Sequence, residues 1–130
     1  MKRPIATALY WLAAITIALG AYGHGFMGVK PVRAAIVASN LPPETVRVIW
    51  MVWYFVSGCM LTFGLLLFWA WPDLESRASA ALLIGVLYAI TGVVCWVYSG
   101  HEPFWLLFLA QGVLVIGSTL ALRQQPQVSG

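Results

Sequence analysis

The chain has 130 residues, and its hydrophobic content of 62% and mean hydropathy of +0.88 are high, whereas only 8% of its residues are charged. A water-soluble chain of this length has too small a core to bury so much apolar surface, so the composition argues against a soluble domain. The charged residues leave four uncharged windows, 4–29, 48–72, 78–101 and 103–122. Each is long enough to cross a hydrocarbon core roughly 30 Å thick as a helix. The sequence predicts an all-α integral membrane protein, an antiparallel bundle of four transmembrane helices forming one domain over 1–123.

The net charge of +3 does not indicate nucleic-acid binding, because the basic residues lie singly or in pairs at the window edges and form no clustered face. Such border charges favour anionic headgroups, so membrane lipids are the expected partners. Cys59 and Cys95 both lie inside windows, at different depths. They are predicted to be buried free thiols, and neither a disulfide nor a zinc site is expected.

Span one is predicted over 5–22, directly after the basic pair Lys2 and Arg3. The alternative is a signal peptide that is cleaved near Gly20. The apolar run is longer than a usual signal sequence and contains Tyr10 and Trp11, which favours a retained membrane span.

The segment 28–47 is the longest connection, and 31–40 within it is predicted as a short helix at the membrane interface, with a proline in its first turn. Span two is predicted over 45–71. The preceding Pro42-Pro43-Glu44 has the composition of a helix start, because proline fits the first turn and an acid there complements the helix dipole.

Span three is predicted over 78–99. Ala81, Gly85 and Ala89 recur at every fourth position, which gives a smooth stripe for close approach by another helix. The following Gly100-His101-Glu102-Pro103 has the composition of a tight reversal, so spans three and four are expected to be antiparallel neighbours.

Span four is predicted over 104–122, and 124–130 is predicted as a disordered polar tail. Four spans place both termini on one side of the membrane, and the balance of border charges favours a cytoplasmic position for them in a cell inner membrane. Dual topology with an antiparallel dimer is the alternative, because the charge difference between the two sides is small: Lys2, Arg3, Arg77 and Arg123 against Lys30, Arg33 and Arg47.

Both histidines are predicted at one end, because the loop after span one and the turn before span four lie on the same side. His24 follows span one and His101 precedes span four, with Glu102 and Trp105 beside it. One interpretation is a redox protein that holds haem or a metal with the two histidines. The other is that histidine and aromatic side chains anchor this end at the interface. No H-x-x-x-H or C-x-x-C spacing is present, so no metal or cofactor is assigned, and these four residues are candidate ligand contacts.

Gln111 is the polar residue of interest inside span four, because an amide in hydrocarbon is costly without a partner. It is predicted to bridge helices, to Ser57, Thr62 or Thr91; the alternative is that it lines a small transporter or channel. In length and span count the chain resembles the small multidrug transporters. Their coupling chemistry resides in a first-span glutamate, whereas span one here, IATALYWLAAITIALGAY, has no acid, so the resemblance covers architecture only.

The sequence contains no catalytic motif: no Gly-x-Ser-x-Gly elbow, no phosphate-binding loop and no His-Glu-x-x-His pair. Enzymatic activity is therefore not expected. The sequence favours a small accessory or structural membrane protein whose interaction surface is the end that carries His24 and His101. Its expected partners, besides lipids, are another membrane protein or a second copy of the chain.

Overall fold

The structure, a computed structural model, describes residues 2–124, and these form helices joined by short turns without any strand. A π-helix, Gly23–Met27, extends the first α-helix, and single 3-10 turns, Trp71–Asp73 and Pro103–Trp105, precede the last two. The five α-helices in chain order are α1 (Arg3–Tyr22), α2 (Val29–Ala38), α3 (Pro43–Ala70), α4 (Leu74–Tyr98) and α5 (Leu106–Arg123).

Three unbroken helical stretches are long and apolar enough to cross a membrane: Arg3–Met27, Pro43–Tyr98 and Pro103–Arg123. This finding supports the prediction of a helical membrane protein. The middle stretch has 56 residues because it contains both α3 and α4, which are separated by the 3-10 turn.

The chain reverses direction at this turn, Trp71–Asp73. Phe63 on α3 and Tyr88 on α4 have ring centroids 6.2 Å apart, whereas 25 residues of continuous helix would separate them by about 37 Å. Arg77 closes the reversal, because its Nη1 donates a hydrogen bond of 2.7 Å to the Trp69 carbonyl and its guanidinium lies 4.1 Å from the centroid of the Trp69 ring. The two helices are therefore antiparallel.

Helices α1 and α3 are also antiparallel, and they meet through small residues. A Cβ added at Gly64 would lie 2.6 Å from the Cβ of Ala18, so glycine is needed for this approach. Nearer the start of α1, the buried Tyr10 hydroxyl donates a hydrogen bond of 2.8 Å to the Leu67 carbonyl.

Helices α4 and α5 approach each other most closely at glycines. A Cβ added at Gly92 would lie 2.4 Å from the Leu109 nitrogen, and one added at Gly112 would lie 2.4 Å from the Ala89 nitrogen. These contacts confirm that the stripe of small residues on α4 faces another helix. Because α1 also packs against α5, the helices α1, α3, α4 and α5 lie side by side, each antiparallel to the next.

The two ends of this assembly differ in burial. The turn end contains Arg3, the 3-10 turn at 71–73 and Arg123; the histidine end contains His24 and His101. Toward the histidine end, buried residues are absent from described parts of three helices: α3 has none before Met60, α4 none after Gly92 and α5 none before Gln111. The core is therefore concentrated in the middle and toward the turn end, where Tyr10, Ile17, Leu67 and Val115 are fully buried.

The connection between α1 and α3 forms α2, Val29–Ala38, where a short helix is predicted over 31–40. Every side chain of α2 is exposed or half-buried, and Pro31 lies in its first turn. Asn40 ends the segment with a positive φ of 50°, a conformation that asparagine tolerates better than most residues. At the other terminus, Gln124 is the last described residue, so the predicted disordered tail, 124–130, lies outside the described range apart from Gln124.

Candidate functional site

The π-helix Gly23–Met27 shapes the histidine end. Glycines in this segment and directly after it permit close contact with α3, because a Cβ at Gly28 would lie 2.7 Å from the Trp53 ring and one at Gly25 would lie 3.3 Å from the Ser57 hydroxyl. A π-helix is a rare interruption of an α-helix and is frequent at functional sites. Here it carries His24 onto the surface of α3.

His24 is fixed by two contacts with α3. Its ring stacks on Trp53 with centroids 3.8 Å apart and planes inclined by 20°, and its Nδ1 lies 2.9 Å from the Ser57 hydroxyl oxygen. The Ser57 hydroxyl donates its single hydrogen to the Trp53 carbonyl at 3.0 Å, so it accepts from His24. The Nδ1 of His24 therefore carries the hydrogen in the neutral ring, and Nε2 keeps its lone pair as a hydrogen-bond acceptor or metal ligand.

His101 has a different environment, in the reversal between α4 and α5. It adopts a positive φ of 70°, its backbone N–H donates 2.8 Å to the Trp96 carbonyl, and its ring meets the edge of Trp96 at a centroid distance of 4.6 Å. The neighbouring Glu102 is exposed, and Trp105 is half-buried against Phe108.

The four predicted contact residues thus all lie at the histidine end, but in two separate groups. His24 packs on α3, whereas His101, Glu102 and Trp105 belong to the connection between α4 and α5. No hydrogen bond or ring contact between described residues joins the two histidines, and residues 2–124 contain no group of three His, Cys, Asp or Glu side chains arranged around a metal position. The two histidines therefore have different local partners, Trp53 and Ser57 for His24 and Trp96 for His101.

Gln111 lies inside the assembly, with 5% of its surface exposed, on the face of α5 that carries Val115 and Ser118. Two of the partners predicted for it bond elsewhere. Ser57 bonds to His24 and the Trp53 carbonyl, and the Thr62 hydroxyl donates 2.9 Å to the Gly58 carbonyl. Over the described part of the chain, no hydrogen bond links Gln111 to these residues.

Trp53 and Ser57 are contact residues that the sequence prediction missed. They are four positions apart and therefore lie on one face of α3, and the glycines around His24 mark a segment able to approach such a face. No local pattern connects the two segments, because the contact joins residues 33 positions apart.

A shallow, open apolar groove of about 330 Å³ lies on the surface of α3, between side chains of that helix alone, on the turn-end side of this site and at the depth where burial of α3 ends. Its floor is Gly58, where an added Cβ would meet no atom within 4 Å, and its walls are Phe55, Cys59, Thr62 and Phe63. Cys59 is a free thiol here. The groove gives α3 a smooth outward face directly beside the His24 contact.

No protein-family model, curated protein or solved structure matches the chain. The function is therefore inferred from the geometry of the site. What the site offers chemically is one imidazole acceptor fixed against α3, aromatic rings around both connections and an apolar groove. These are features of recognition, namely shape, stacking and one directed hydrogen bond.

Proposed function

We propose that this protein is a four-span integral membrane protein in which α1, α3, α4 and α5 form an antiparallel bundle across a cell inner membrane. The three long apolar stretches and the reversal at 71–73 support this arrangement, since α3 and α4 each have the length of a span. The outward faces are apolar, with Leu19, Phe55 and Leu83 at 63%, 72% and 69% exposure. Helix α2 lies at the membrane surface.

Its function is that of an accessory or structural protein without catalytic activity, which binds another membrane protein, or a second copy of itself, through the histidine end. The observation that carries this proposal is the loss of burial at that end. The first 17 residues of α3, 43–59, contain no buried side chain, although α3 continues as one regular helix.

The groove at Gly58 supports a helix as the partner. Inside a bilayer there is no hydrophobic driving force between helices, so they associate where small residues let their backbones approach and pack. Gly58 is an exposed small residue with open space above it, flanked by the large side chains of Phe55 and Phe63. A ridge of a partner helix would fill this space and restore burial to α3.

Site-specific photo-crosslinking in native membranes tests the proposal. A photoreactive amino acid at Phe55 is expected to give a discrete protein adduct, whereas one at Leu83 is expected to give lipid adducts only. The two positions are matched in exposure, at 72% and 69%, but Leu83 lies on α4 away from the groove. Gly58→Leu is expected to abolish the protein adduct, and Gly117→Leu to leave it, because both glycines have free space but only Gly58 is in the groove. Equal adducts from both probe positions, or an adduct that survives Gly58→Leu, would contradict the proposal.

A further inference from the structure

The turn end contains a second, polar cavity of about 610 Å³. It lies where the start of α1, the reversal between α3 and α4 and the last turn of α5 meet. Its size is within the range of small-molecule sites, about 300–1,000 Å³. The residues that give it its chemistry are Arg3, Asp73, Glu75, Arg123 and the hydroxyl of Thr7.

The two arginines give the cavity a site for an anion. Arg3 and Arg123 come from opposite termini of the described chain and line the same space, and neither forms a salt bridge with a described residue. The first turn of α1 contains no acid, so the positive end of that helix adds to the charge of Arg3. Guanidinium groups bind phosphate oxygens through paired N–H donors.

The two acids of the cavity, Asp73 and Glu75, differ in whether they are already paired with other residues. Asp73 is engaged within its own turn: it accepts hydrogen bonds from Ser76 and forms an ion pair with Arg77 at 3.9 Å. The hydrogen bond from the Ser76 hydroxyl, together with Arg77, lowers the pKa of Asp73, as expected for a carboxylate that is already paired. Glu75 forms no salt bridge among the residues that the structure describes, so it is the free carboxylate of the cavity.

We propose that this cavity binds a zwitterionic phosphoethanolamine headgroup, with Arg3 and Arg123 holding the phosphodiester and Glu75 accepting from the ammonium group. The pattern of two free cations and one free carboxylate around one space matches the charges of this headgroup. The cavity lies at the end of the spans, beside Trp71, which is the depth of the headgroups in the proposed bundle. The cavity and the groove of α3 have no lining residue in common, so the two sites can be tested independently.

Binding of soluble short-chain lipids to the full chain in detergent, followed by native mass spectrometry, tests the proposal. From an equimolar mixture of dihexanoyl phosphatidylethanolamine and dihexanoyl phosphatidylcholine, the ethanolamine lipid is expected to be retained at one copy per chain with about tenfold preference, because only its ammonium donates a charge-assisted hydrogen bond to Glu75. Glu75→Gln is expected to bring the ratio of the two lipids close to one. Glu44→Gln, at the exposed start of α3, is the matched control and is expected to keep the preference.

The arginines have their own test. Arg3→Gln combined with Arg123→Gln is expected to lower retention of both lipids by about tenfold or more, whereas Arg33→Gln combined with Arg47→Gln at the other end leaves it unchanged. All these side chains are exposed, so the variants are expected to elute from gel filtration like the parent protein. Retention of the preference in Glu75→Gln, or of binding in the arginine pair variant, would overturn the proposal. Displacement of the lipid by inorganic phosphate alone, at equal concentration, would also overturn it and identify a free-phosphate site.

Discussion

At the scale of single residues, Tyr10 links the first helix to the end of α3. Its hydroxyl donates to the Leu67 carbonyl at 2.8 Å, and the same carbonyl accepts from the Trp71 N–H where α3 ends. Tyr10→Phe removes one buried hydrogen bond and leaves the ring packing, so we expect a loss of roughly 1 kcal/mol in the free energy of unfolding. Reversible unfolding in mixed micelles measures it. Tyr54→Phe, at a tyrosine with 55% exposure, is the control and is expected to have no effect; equal losses in both variants would refute the role of this hydrogen bond.

The residue scale also shows how much of the candidate site the sequence predicts. The predicted four-span topology is sufficient to place His24 and His101 at one end, because that placement depends only on the predicted number of crossings. It does not predict that His24 stacks on Trp53 while His101 meets Trp96. These partners depend on the rotation of each helix about its axis, which tertiary packing determines and local sequence does not.

At the scale of helices, the contact between α4 and α5 predicts that alanine substitutions at two glycines of α5 have different effects on stability. A Cβ at Gly112 would lie 2.4 Å from the Ala89 nitrogen and 2.5 Å from the Gly85 carbonyl oxygen, whereas one at Gly117 would meet no atom within 4 Å. We expect Gly112→Ala to destabilise the protein by about 1–3 kcal/mol through overpacking. Gly117→Ala is expected to be neutral or slightly stabilising, because alanine is the better helix former. The same micelle unfolding experiment compares them, and a neutral Gly112→Ala would show that the two helices are farther apart than described.

The ends of the helices can be predicted from the sequence, because charged residues and prolines lie at them. The segment around Pro42-Pro43-Glu44 begins α3, and Pro72 lies in the turn that ends it. The π-helix Gly23–Met27 was not predicted, since the glycines there are compatible with a helix end as well as with a distorted helix. In the structure the Gly28 N–H donates to the Gly23 carbonyl at 2.9 Å, which is the i to i−5 hydrogen bond of a π-helix.

At the scale of the whole molecule, the difference in burial between the two ends cannot be predicted from the pattern of apolar and polar residues along the sequence. In a soluble helix, polar residues mark the outward face, so an apolar stripe reveals the buried one. In a membrane helix both faces are apolar: α3 has no charged residue between 48 and 70, although its buried residues begin only at Met60. The groove at Gly58 therefore follows from the arrangement of the helices and not from any pattern along one of them.

The whole molecule also carries a prediction about its orientation. Arg3, the 71–75 turn and Arg123 meet around one cavity, so both described ends of the chain lie at the turn end. This end has four basic border residues and the histidine end has three, so we expect the turn end to face the cytoplasm. A fluorescent protein fused after Gly130 should then be bright and alkaline phosphatase fused there inactive, while phosphatase inserted after Asn40 should be active. The reverse pattern would refute this orientation, and activity at both sites would indicate dual topology. Because the charge difference is one residue, Arg77→Gln is expected to shift some molecules to the opposite orientation, whereas Arg33→Gln should strengthen the original one.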